Sequence, residues 1–368
     1  MPNPKKIIIV VGTRPNFIKV TQFDKEFAKF GSQFDYKLVH TGQHYDYNMS
    51  DIFFQQLQIR KPDYFLGTPS GSPTFQIGMI MVELEKVFDI EKPDLVIVVG
   101  DVNSTFAAAF TAYKKGIKLA HLESGLRSND RNMPEEINRI LTDEISDLFF
   151  VTESSGLKSL KENGKTKNQV KFVGNTMIDT LVAFDGEIDK ADILEKLDLQ
   201  IKNYALITIH RPSNVDEKEN LTLTINILTE VAKKLKVVFP IHPRTLKKAE
   251  EFGIKSKLTE NSNIILTEPL DYFAFQKLVK NCCFVLTDSG GIQEETTFRQ
   301  VPCLTLRKNT ERPSTVEIGS NELLEFDIKA IMNKVEEIIA GKFKKGSIPP
   351  LWDGKATERI VQVLAEIV

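Results

Sequence analysis

The sequence predicts an α/β protein built from two doubly wound parallel sheets. Eleven short apolar runs, most of them rich in Val, Ile and Phe, alternate with amphipathic segments along the chain. Runs of this length and composition are typical of strands buried on both faces of a parallel sheet. Eleven strands exceed the roughly six of an ordinary open sheet, so two sheets fit the 368 residues better than one. An eight-stranded barrel explains the strand count less well.

The elements follow one another as strand and helix in turn. The predicted strands are residues 7–11, 36–39, 95–99, 118–121, 148–151, 170–173, 205–209, 237–241, 264–266, 284–287 and 303–306. The clearest helical patterns cover residues 17–30, 74–88, 134–145, 221–235 and 273–279. This alternation is the pattern expected of βαβ units.

A charged segment separates two sets of strand and helix units. Asp185-Gly186-Glu187 and the helical stretch 190–197 follow the sixth strand. We therefore expect an N-terminal domain over residues 1–174 and a C-terminal domain over residues 175–354. The amphipathic segment 355–368 follows Pro349-Pro350 and is expected to pack back on the first domain.

The composition excludes several classes of protein. The 48 Lys and Arg residues nearly balance the 50 Asp and Glu residues, for a net charge of −2. Such a chain has no general positive field, so we expect neither nucleic acid nor a membrane as a partner. No apolar run reaches the ~18 residues of a membrane-spanning helix, and the first run is too short for a signal peptide. We expect a cytoplasmic protein.

Metal and dinucleotide sites lack their usual signatures. The three cysteines, an adjacent pair plus one, indicate neither a disulfide framework nor a zinc site. The histidines lie at or just after predicted strand ends, without the spacing of a metal-binding helix; they are His40, His44, His121, His210 and His242. Since G-x-G-x-x-G and G-x-x-x-x-G-K-[ST] are both absent, neither a nicotinamide fold fingerprint nor a P-loop is predicted.

The polar residues that follow predicted strands are the candidates for a ligand site, because open α/β sheets bind ligands beyond the carboxyl ends of their strands. The turn Gly12-Thr13-Arg14-Pro15-Asn16 leads into a helix that carries Lys19. A glycine turn at a helix N-terminus, with an Arg, suits a phosphate. The alternative is a plain turn with a surface Arg.

Three carboxylates are placed at the same kind of position. Asp101 and Glu123 follow neighbouring predicted strands, and Glu135 begins a helix beside Glu136. Carboxylates brought together in a closed cleft can act as general acid and base. For Glu135 and Glu136 the alternative is a favourable interaction with the helix dipole.

A candidate diphosphate site lies in the second half of the chain. Thr287-Asp288-Ser289-Gly290-Gly291 follows a strand and opens a helix, and Glu294-Glu295 lie one turn later. Ser289 can cap the helix, and the two glycines leave backbone N–H groups to face a diphosphate. The Glu295 carboxylate is positioned to accept hydrogen bonds from ribose hydroxyls, so the segment favours a nucleotide-sugar site.

These segments together resemble the non-hydrolysing UDP-N-acetylglucosamine 2-epimerases, in that family's order over residues 7–319. The motifs that carry the resemblance are Gly12-Thr13-Arg14-Pro15, Gly100-Asp101, His121-Leu122-Glu123-Ser124-Gly125-Leu126-Arg127, Pro134-Glu135-Glu136-x-Asn138-Arg139, His210-Arg211, His242-Pro243, Ser289-Gly290-Gly291-x-Gln293-Glu294-Glu295 and Thr310-Glu311-Arg312-Pro313. The resemblance implies two Rossmann-like domains in a glycosyltransferase-B-like arrangement, a UDP-sugar in the interdomain cleft, no cofactor and usually a homodimer.

The resemblance also implies roles for individual residues. The catalytic group would comprise Asp101, Glu123, Glu135 and His210. The substrate-binding group would comprise Arg14, Lys19, His242, Phe275, Ser289, Gly290, Gly291, Glu295 and Arg312. In this reading Phe275 stacks on uracil; the alternative is a core Phe on a helix.

Two departures from the family bear on its chemistry. Pro212 follows His210-Arg211, where many members carry an acidic residue before the Asn, so the sugar pocket is expected to differ. Gln43-His44 is kept, but the second Gln through which some bacterial members bind an activating substrate molecule is missing.

The sequence leaves other functions open besides epimerisation of UDP-N-acetylglucosamine. They are epimerisation of a related UDP-sugar, such as UDP-2,3-diacetamido-2,3-dideoxyglucuronate, a hydrolysing epimerase, a glycosyltransferase of the same architecture, and a non-catalytic nucleotide-sugar sensor.

Overall fold

Seven parallel strands form the sheet of the first structural unit in the computed structural model, which describes residues 3–43 and 54–367. This unit comprises residues 1–183 and 350–368. Its strands are β1 (Lys5–Val11), β2 (Phe34–His40), β3 (Tyr64–Phe65), β4 (Leu95–Val99), β5 (Lys118–Leu122), β6 (Leu148–Val151) and β7 (Val170–Phe172). They lie in the order β3-β2-β1-β4-β5-β6-β7, so the strand order reverses between β1 and β4.

Helices connect these strands, as parallel pairing requires. They are α1 (Arg14–Val20), α2 (Phe23–Ala28), α3 (Pro73–Glu91), α4 (Asn103–Lys114), α5 (Pro134–Ile145), α6 (Ser154–Glu162) and α7 (Thr176–Ala183). A short 3₁₀ helix covers Gly31–Gln33. One apolar core lies between the sheet and helices α3 and α4, where Val96 and Val98 pack with Ile80, Leu84 and Ala108.

Six parallel strands form the sheet of the second unit, residues 184–349. The strands are β8 (Tyr204–Thr208), β9 (Lys236–Pro240), β10 (Ile264–Thr267), β11 (Phe284–Thr287), β12 (Cys303–Leu306) and β13 (Asn321–Leu324), in the order β10-β9-β8-β11-β12-β13. The helices are α8 (Asp185–Lys190), α9 (Ile193–Lys196), α10 (Pro212–Val215), α11 (Lys218–Ala232), α12 (Pro243–Glu251), α13 (Ser256–Thr259), α14 (Tyr272–Asn281), α15 (Gly290–Phe298), α16 (Pro313–Glu317) and α17 (Ile328–Ile339).

The second sheet has an apolar core on each face. Ala205 and Ile207 contribute to one core, whereas Tyr204 and Leu206 contribute to the other. Successive side chains of a strand point to opposite faces, so this alternation shows that the strand is covered on both sides. The predicted fold class, two doubly wound parallel sheets, is confirmed.

The structure adds two strands to the eleven predicted. β3 has two residues and β13 has four, and each lies at the edge of its sheet. Edge strands face a neighbour on one side only, and β3 is half exposed, so neither has the continuous apolar pattern of a central strand. The predicted helix over residues 17–30 is divided into α1 and α2, with Thr21 and Gln22 between them.

The last helix, α18 (Ala356–Ile367), packs against α2 and α7 of the first unit. Asp179 of α7 accepts hydrogen bonds from the backbone N–H groups of Ala356, at 3.0 Å, and Thr357, at 2.6 Å. Helix α7 follows the predicted boundary at Gly174 and belongs to the first unit, since Asp179 fixes the start of α18.

In the part of the chain that the structure describes, no helix has the length and apolar character needed to cross a bilayer.

Candidate functional site

The turn after β1 is organised by Asn16. Its Oδ1 accepts hydrogen bonds from the backbone N–H groups of Gly12, at 3.2 Å, and Thr13, at 3.3 Å, while its Nδ2 donates to the carbonyl of Val99 at 3.2 Å. One buried amide therefore joins the carboxyl ends of β1 and β4. Arg14 is exposed at the first turn of α1.

Lys19 and Glu123 form a buried ion pair. The Lys19 Nζ lies 2.6 Å from Glu123 Oε2, and the two side chains are 6% and 3% exposed. The sequence predicted that both residues belong to the site, but it did not predict that they touch. Since burial of an isolated charge is costly, each ionised group depends on the other.

Glu123 has an unusual backbone conformation. Its φ is +71°, in the left-handed region that residues other than glycine rarely adopt. The N–H groups of Glu123 and Ser124 both donate to the carbonyl of Phe150, at 3.1 and 3.2 Å, and hold the turn against β6. Strained non-glycine residues cluster at functional sites.

Asp101 is held by two residues of α5. Its Oδ2 lies 2.7 Å from Arg139 Nη2 and 3.0 Å from Arg139 Nε, an arrangement in which the guanidinium offers two N–H groups. Asn138 Nδ2 donates to the Asp101 carbonyl at 2.9 Å. The Asp101 side chain is 26% exposed, so its carboxylate is fixed and still accessible.

The neighbouring acidic residues of α5 differ in their surroundings. Glu135 is exposed in the first turn, whereas Glu136 is buried. Glu136 Oε2 accepts hydrogen bonds from the Ser128 N–H at 2.9 Å and pairs with Arg139 Nη1 at 2.5 Å. Glu136 is thus held by Ser128 and Arg139, whereas Glu135 faces solvent.

Two histidines of the first unit are buried at strand ends. His121 bridges Asp143 and the Gly100 carbonyl, with Nδ1 2.7 Å from Asp143 Oδ1 and Nε2 2.8 Å from the carbonyl oxygen. His40 packs against Phe17, and burial lowers the pKa of its imidazole to about 4. His44 lies outside the described residues.

In the second unit Asp288 organises the loop that carries His210. Its buried carboxylate accepts hydrogen bonds from the backbone N–H groups of His210, at 3.0 Å, and Arg211, at 2.8 Å, and from Asn214 Nδ2 at 2.9 Å. The His210 Nδ1 lies 3.3 Å from Asp288 Oδ1, while about half of the side chain is exposed. Asp288 therefore holds the histidine at the carboxyl end of β11.

His242 follows β9, the neighbour of the strand that precedes His210. It caps helix α12 by accepting a hydrogen bond at Nδ1 from the Arg244 N–H at 3.2 Å. Partial burial lowers the pKa of His242, and the nearby His210 adds to this effect.

The start of helix α15 matches the predicted diphosphate segment. Ser289 occupies the N-cap position, but among the described residues its side chain makes no capping hydrogen bond; its N–H donates to Thr287 Oγ1 at 3.0 Å. A Cβ on Gly290 would lie 2.8 Å from Glu311 Oε1 and 3.0 Å from Arg312 Nη1. The backbone at Gly290 thus passes close to a charged pair, and Gly291 follows in the same first turn.

Arg312 lies between two carboxylates. Its Nη1 is 2.5 Å from Glu311 Oε1 and its Nε is 2.6 Å from Glu294 Oε2, and all three side chains are buried. Glu311 Oε2 is also 2.8 Å from Arg307 Nη2. Two cations and two anions therefore form a balanced chain beside the start of α15.

Glu295 is buried one turn into α15. Burial raises the pKa of its carboxyl to about 7, although a hydrogen bond from Gln276 and the charge of Arg299 oppose the shift. Phe275 of α14 is half-buried and packs on the edge of the second unit's core. One part of the ring thus contacts the core, and the other part is accessible.

The predicted residues fall into two sets, one on each unit. The first unit carries Arg14, Lys19, Asp101, Glu123 and Glu135, and the second carries His210, His242, Phe275, Ser289, Gly290, Gly291, Glu295 and Arg312. Sequence reasoning missed Asp288 and Asp143. Asp288 directly follows a buried strand and could have been found by that position, whereas Asp143 lies within a helix and carries no such signal.

Among residues 3–43 and 54–367, no group of three His, Cys, Asp or Glu side chains is arranged to hold a metal ion.

Comparison with known proteins gives a consistent result. The family model described as UDP-N-acetylglucosamine 2-epimerase matches residues 28–365. The chain is 42% identical to the UDP-N-acetylglucosamine 2-epimerase of Methanocaldococcus jannaschii, over 98% of each chain. A crystal structure of that organism's UDP-GlcNAc 2-epimerase, in complex with UDP-GlcNAc and UDP, superposes with a TM-score of 0.89 at 40% identity, covering 98% of this chain and 99% of the other.

Another relative is named for a different substrate. The chain is 36% identical to the UDP-2,3-diacetamido-2,3-dideoxy-D-glucuronate 2-epimerase of Pseudomonas aeruginosa, over 98% of this chain and 100% of the relative. The match to the family model and the similarity over nearly the whole length have one consequence: the chain belongs to the UDP-N-acetylglucosamine 2-epimerase family.

Proposed function

We propose that this protein interconverts UDP-N-acetylglucosamine and UDP-N-acetylmannosamine by inverting carbon 2 of the sugar. Family membership supports the reaction class, and the relatives at 41 and 42% identity carry the name of this activity. The observation that carries the proposal is the pair of carboxylates, Asp101 and Glu123, at the ends of adjacent parallel strands, each with its own cation.

The chemistry proceeds by elimination and re-addition. A base removes the proton from carbon 2 while the bond from carbon 1 to the UDP oxygen breaks, which gives 2-acetamidoglucal and UDP. UDP then adds back to carbon 1, and a proton returns to the opposite face of carbon 2. No electron is gained or lost overall, so the reaction requires acid and base groups and a means of stabilising the departing diphosphate.

The first unit supplies acid and base groups in this proposal. Asp101 and Glu123 exchange protons with the sugar, and the exposed Glu135 is the third carboxylate of the set. Lys19 pairs with the buried Glu123 and, with Arg14, offers positive charge to a phosphate.

The second unit supplies the nucleotide site. The N–H groups at the start of α15, from Ser289 to Gly291, face an anion as a helix N-terminus does. Glu295 accepts hydrogen bonds from the ribose, and Phe275 stacks on uracil. His210, His242 and Arg312 complete the polar lining on this unit, with His210 in the catalytic group.

Proton NMR of UDP-GlcNAc incubated with the protein in deuterated water tests this reaction. We expect UDP-ManNAc to appear and deuterium to enter at carbon 2 in both sugars, because the proton is exchanged while the glucal is bound. Epimerisation without deuterium at carbon 2, or a strict need for added NAD, would contradict the elimination route.

The same experiment separates the alternatives. Accumulation of free ManNAc with UDP indicates a hydrolysing epimerase. Transfer of the sugar to an acceptor without deuterium at carbon 2 indicates a glycosyltransferase. Binding of UDP-GlcNAc without any turnover indicates a sensor, for which Asp101→Asn would leave the behaviour unchanged.

UDP-2,3-diacetamido-2,3-dideoxyglucuronate is the second candidate substrate, because a relative at 36% identity is named for it. We favour UDP-GlcNAc, since relatives named for that sugar reach 41 and 42% identity. Parallel assays of the two nucleotide sugars decide between them by kcat/KM. A preference for the glucuronate derivative would change the proposed substrate but not the proposed type of reaction.

We also propose that the protein is a homodimer. In the first unit, helix α4 contacts both α3 and α5. Large apolar side chains are exposed on all three helices: Phe75 and Val82 on α3, Phe110 and Tyr113 on α4, and Leu141 on α5. Such a surface favours association with a second copy. Light scattering is expected to give twice the chain mass, and Phe110→Glu to give the monomer. The control Ile201→Glu, at an exposed site on the second unit, should not change the mass.

The compartment is proposed to be the cytoplasm. Cys282, Cys283 and Cys303 are all free thiols, which suits a reducing environment. Fractionation of cells that express the protein tests this, and recovery outside the cytoplasm would contradict it.

A further inference from the structure

Behind the two carboxylate-bearing turns of the first unit lies a buried network centred on His121. The ring is fully buried at the end of β5. Its Nδ1 lies 2.7 Å from Asp143 Oδ1 and its Nε2 lies 2.8 Å from the carbonyl oxygen of Gly100. Both ring nitrogens therefore face oxygen atoms at hydrogen-bond distance.

The partners determine where the protons are. A backbone carbonyl can only accept a hydrogen bond, so Nε2 must carry a proton. Asp143 also accepts at its other oxygen, from the Gly125 N–H at 3.0 Å and from Arg127 Nη1 at 2.7 Å. The guanidinium of Arg127 and the Gly125 N–H hold Asp143 as a carboxylate. A carboxylate oxygen can only accept a hydrogen bond, so Nδ1, which faces Oδ1, must carry a proton as well.

The charge of Asp143 agrees with this. Burial alone would raise the pKa of its carboxyl, but the charges and hydrogen bonds of His121 and Arg127 outweigh burial and hold it below its usual value. Asp143 thus remains an anion that accepts from His121, Arg127 and the Gly125 N–H.

We propose that His121 is a buried imidazolium that keeps both ring protons at neutral pH and positions the turns bearing Asp101 and Glu123. The effect on catalysis depends on the proposed function, whereas the charge state of the ring does not.

The network holds both turns at once. Through Nε2 it fixes the carbonyl of Gly100, which has φ +69° and directly precedes Asp101. A Cβ on Gly100 would lie 3.4 Å from both Glu123 Oε2 and Lys19 Nζ, so this turn is packed against the Glu123 side chain. Through Asp143 the network fixes Gly125, two residues after Glu123. His121 is accordingly a positioning residue and does not itself need to touch the substrate.

The network contains two positive groups and one negative group. His121 and Arg127 both pair with Asp143, so the network carries a net positive charge behind the turns. On the other side of Gly100, Lys19 pairs with Glu123. Charge-assisted hydrogen bonds are shorter and stronger than neutral ones, which suits a network that must hold backbone groups in place.

His40 provides an internal comparison. It is also fully buried at a strand end of the same sheet, but its Nδ1 accepts a hydrogen bond from the Gly42 N–H at 2.8 Å. A nitrogen that accepts cannot carry a proton, so His40 is neutral. We therefore expect His121 to be positively charged and His40 to be neutral, although both are buried in the same sheet.

Nitrogen-15 NMR of the histidine rings in the intact protein tests the charge state. We expect His121 to show two protonated nitrogens at about pH 7, because both ring nitrogens face acceptors. His40 should show one protonated and one unprotonated nitrogen in the same spectra. Assignment uses His121→Gln and His40→Gln. An unprotonated nitrogen on His121 at about pH 7 would overturn the proposal.

Kinetics of Asp143→Asn tests the positioning role. Removal of the anion should leave His121 with a single ring proton and lower kcat at least about tenfold, with KM changed less than about twofold, since neither residue is proposed to contact substrate. Asp179→Asn is the matched control, because Asp179 is also a buried carboxylate of the first unit that accepts backbone N–H groups, yet it fixes α18. It should lose stability and keep kcat.

A wild-type kcat in Asp143→Asn would refute the positioning role. If Asp143→Asn does not fold, His121→Gln replaces it with the same expected change in kcat. If the wild-type protein turns over no UDP-sugar while His121 shows two ring protons, the proposed function fails and the charge state stands.

Discussion

Lys19 Nζ lies 2.6 Å from Glu123 Oε2, although 104 residues separate them along the chain. The pair joins helix α1 to the turn after β5, and both side chains are almost completely buried. The ion pair therefore fixes the position of a proposed catalytic carboxylate relative to α1.

Lys19→Met should destabilise the first unit by about 3 kcal/mol, because the variant leaves the buried Glu123 without its ammonium partner. Trp352 is the only tryptophan and is buried in this unit, so its fluorescence in denaturant measures the loss. The double variant Lys19→Met/Glu123→Gln should recover much of the stability, since it contains no unpaired charge. A double variant no more stable than Lys19→Met would show that the ion pair does not cause the loss.

Substitution of the proposed acid and base groups should reduce turnover. Glu123→Gln should also lower stability, because it leaves the buried Lys19 ammonium without its carboxylate. Asp101→Asn, Glu123→Gln and Glu135→Gln should each lower kcat about 10²-fold or more, as loss of such a group typically does. Deuterium incorporation at carbon 2 measures the effect directly. Glu144→Gln is the control, because Glu144 lies on the same helix as Glu135 and its side chain is 73% exposed. Wild-type rates in all three variants would contradict the assignments.

Gly290→Ala should weaken UDP binding about tenfold, or 1.4 kcal/mol. The added Cβ would lie 2.8 Å from Glu311 Oε1, and the carboxylate cannot move without disturbing its buried pair with Arg312. Calorimetric titration with UDP measures the change. Gly186→Ala is the matched control, since a Cβ at that helical position meets no atom within 4 Å and should stabilise the protein slightly. Equal UDP affinity in both variants would refute the close approach at Gly290.

Glu295 should make the second unit less stable as the pH rises. The folded state raises the pKa of this carboxyl from 4.5 to about 7, so between these values the folded protein binds more protons than the unfolded chain. Stability is then lost as the pH rises through about 7, by up to about 3 kcal/mol.

Glu295→Gln removes this dependence, so the variant should gain stability relative to wild type between about pH 5 and about pH 8. Scanning calorimetry is the appropriate measurement, because Trp352 reports on the other unit. Parallel curves for Glu295→Gln and wild type would contradict the raised pKa of Glu295.

The site was predictable to the extent that its residues directly follow strands. Asp101, Glu123 and His210 follow apolar runs, and the topology of parallel sheets places such residues at the carboxyl edge. Burial was harder to predict: Glu135 and Glu136 are neighbours of the same type, yet only Glu136 is enclosed.

The sequence by itself determined the two parallel sheets, their central strands and the turns that carry the polar motifs, because apolar runs and helix starts are local patterns. Only the tertiary structure decided that Lys19 meets Glu123, that His121 lies between Asp143 and Gly100, and that Asp288 holds the His210 loop. Contacts between residues far apart along the chain depend on which strands are neighbours in a sheet, and the spacing of residues in the sequence does not show the strand order.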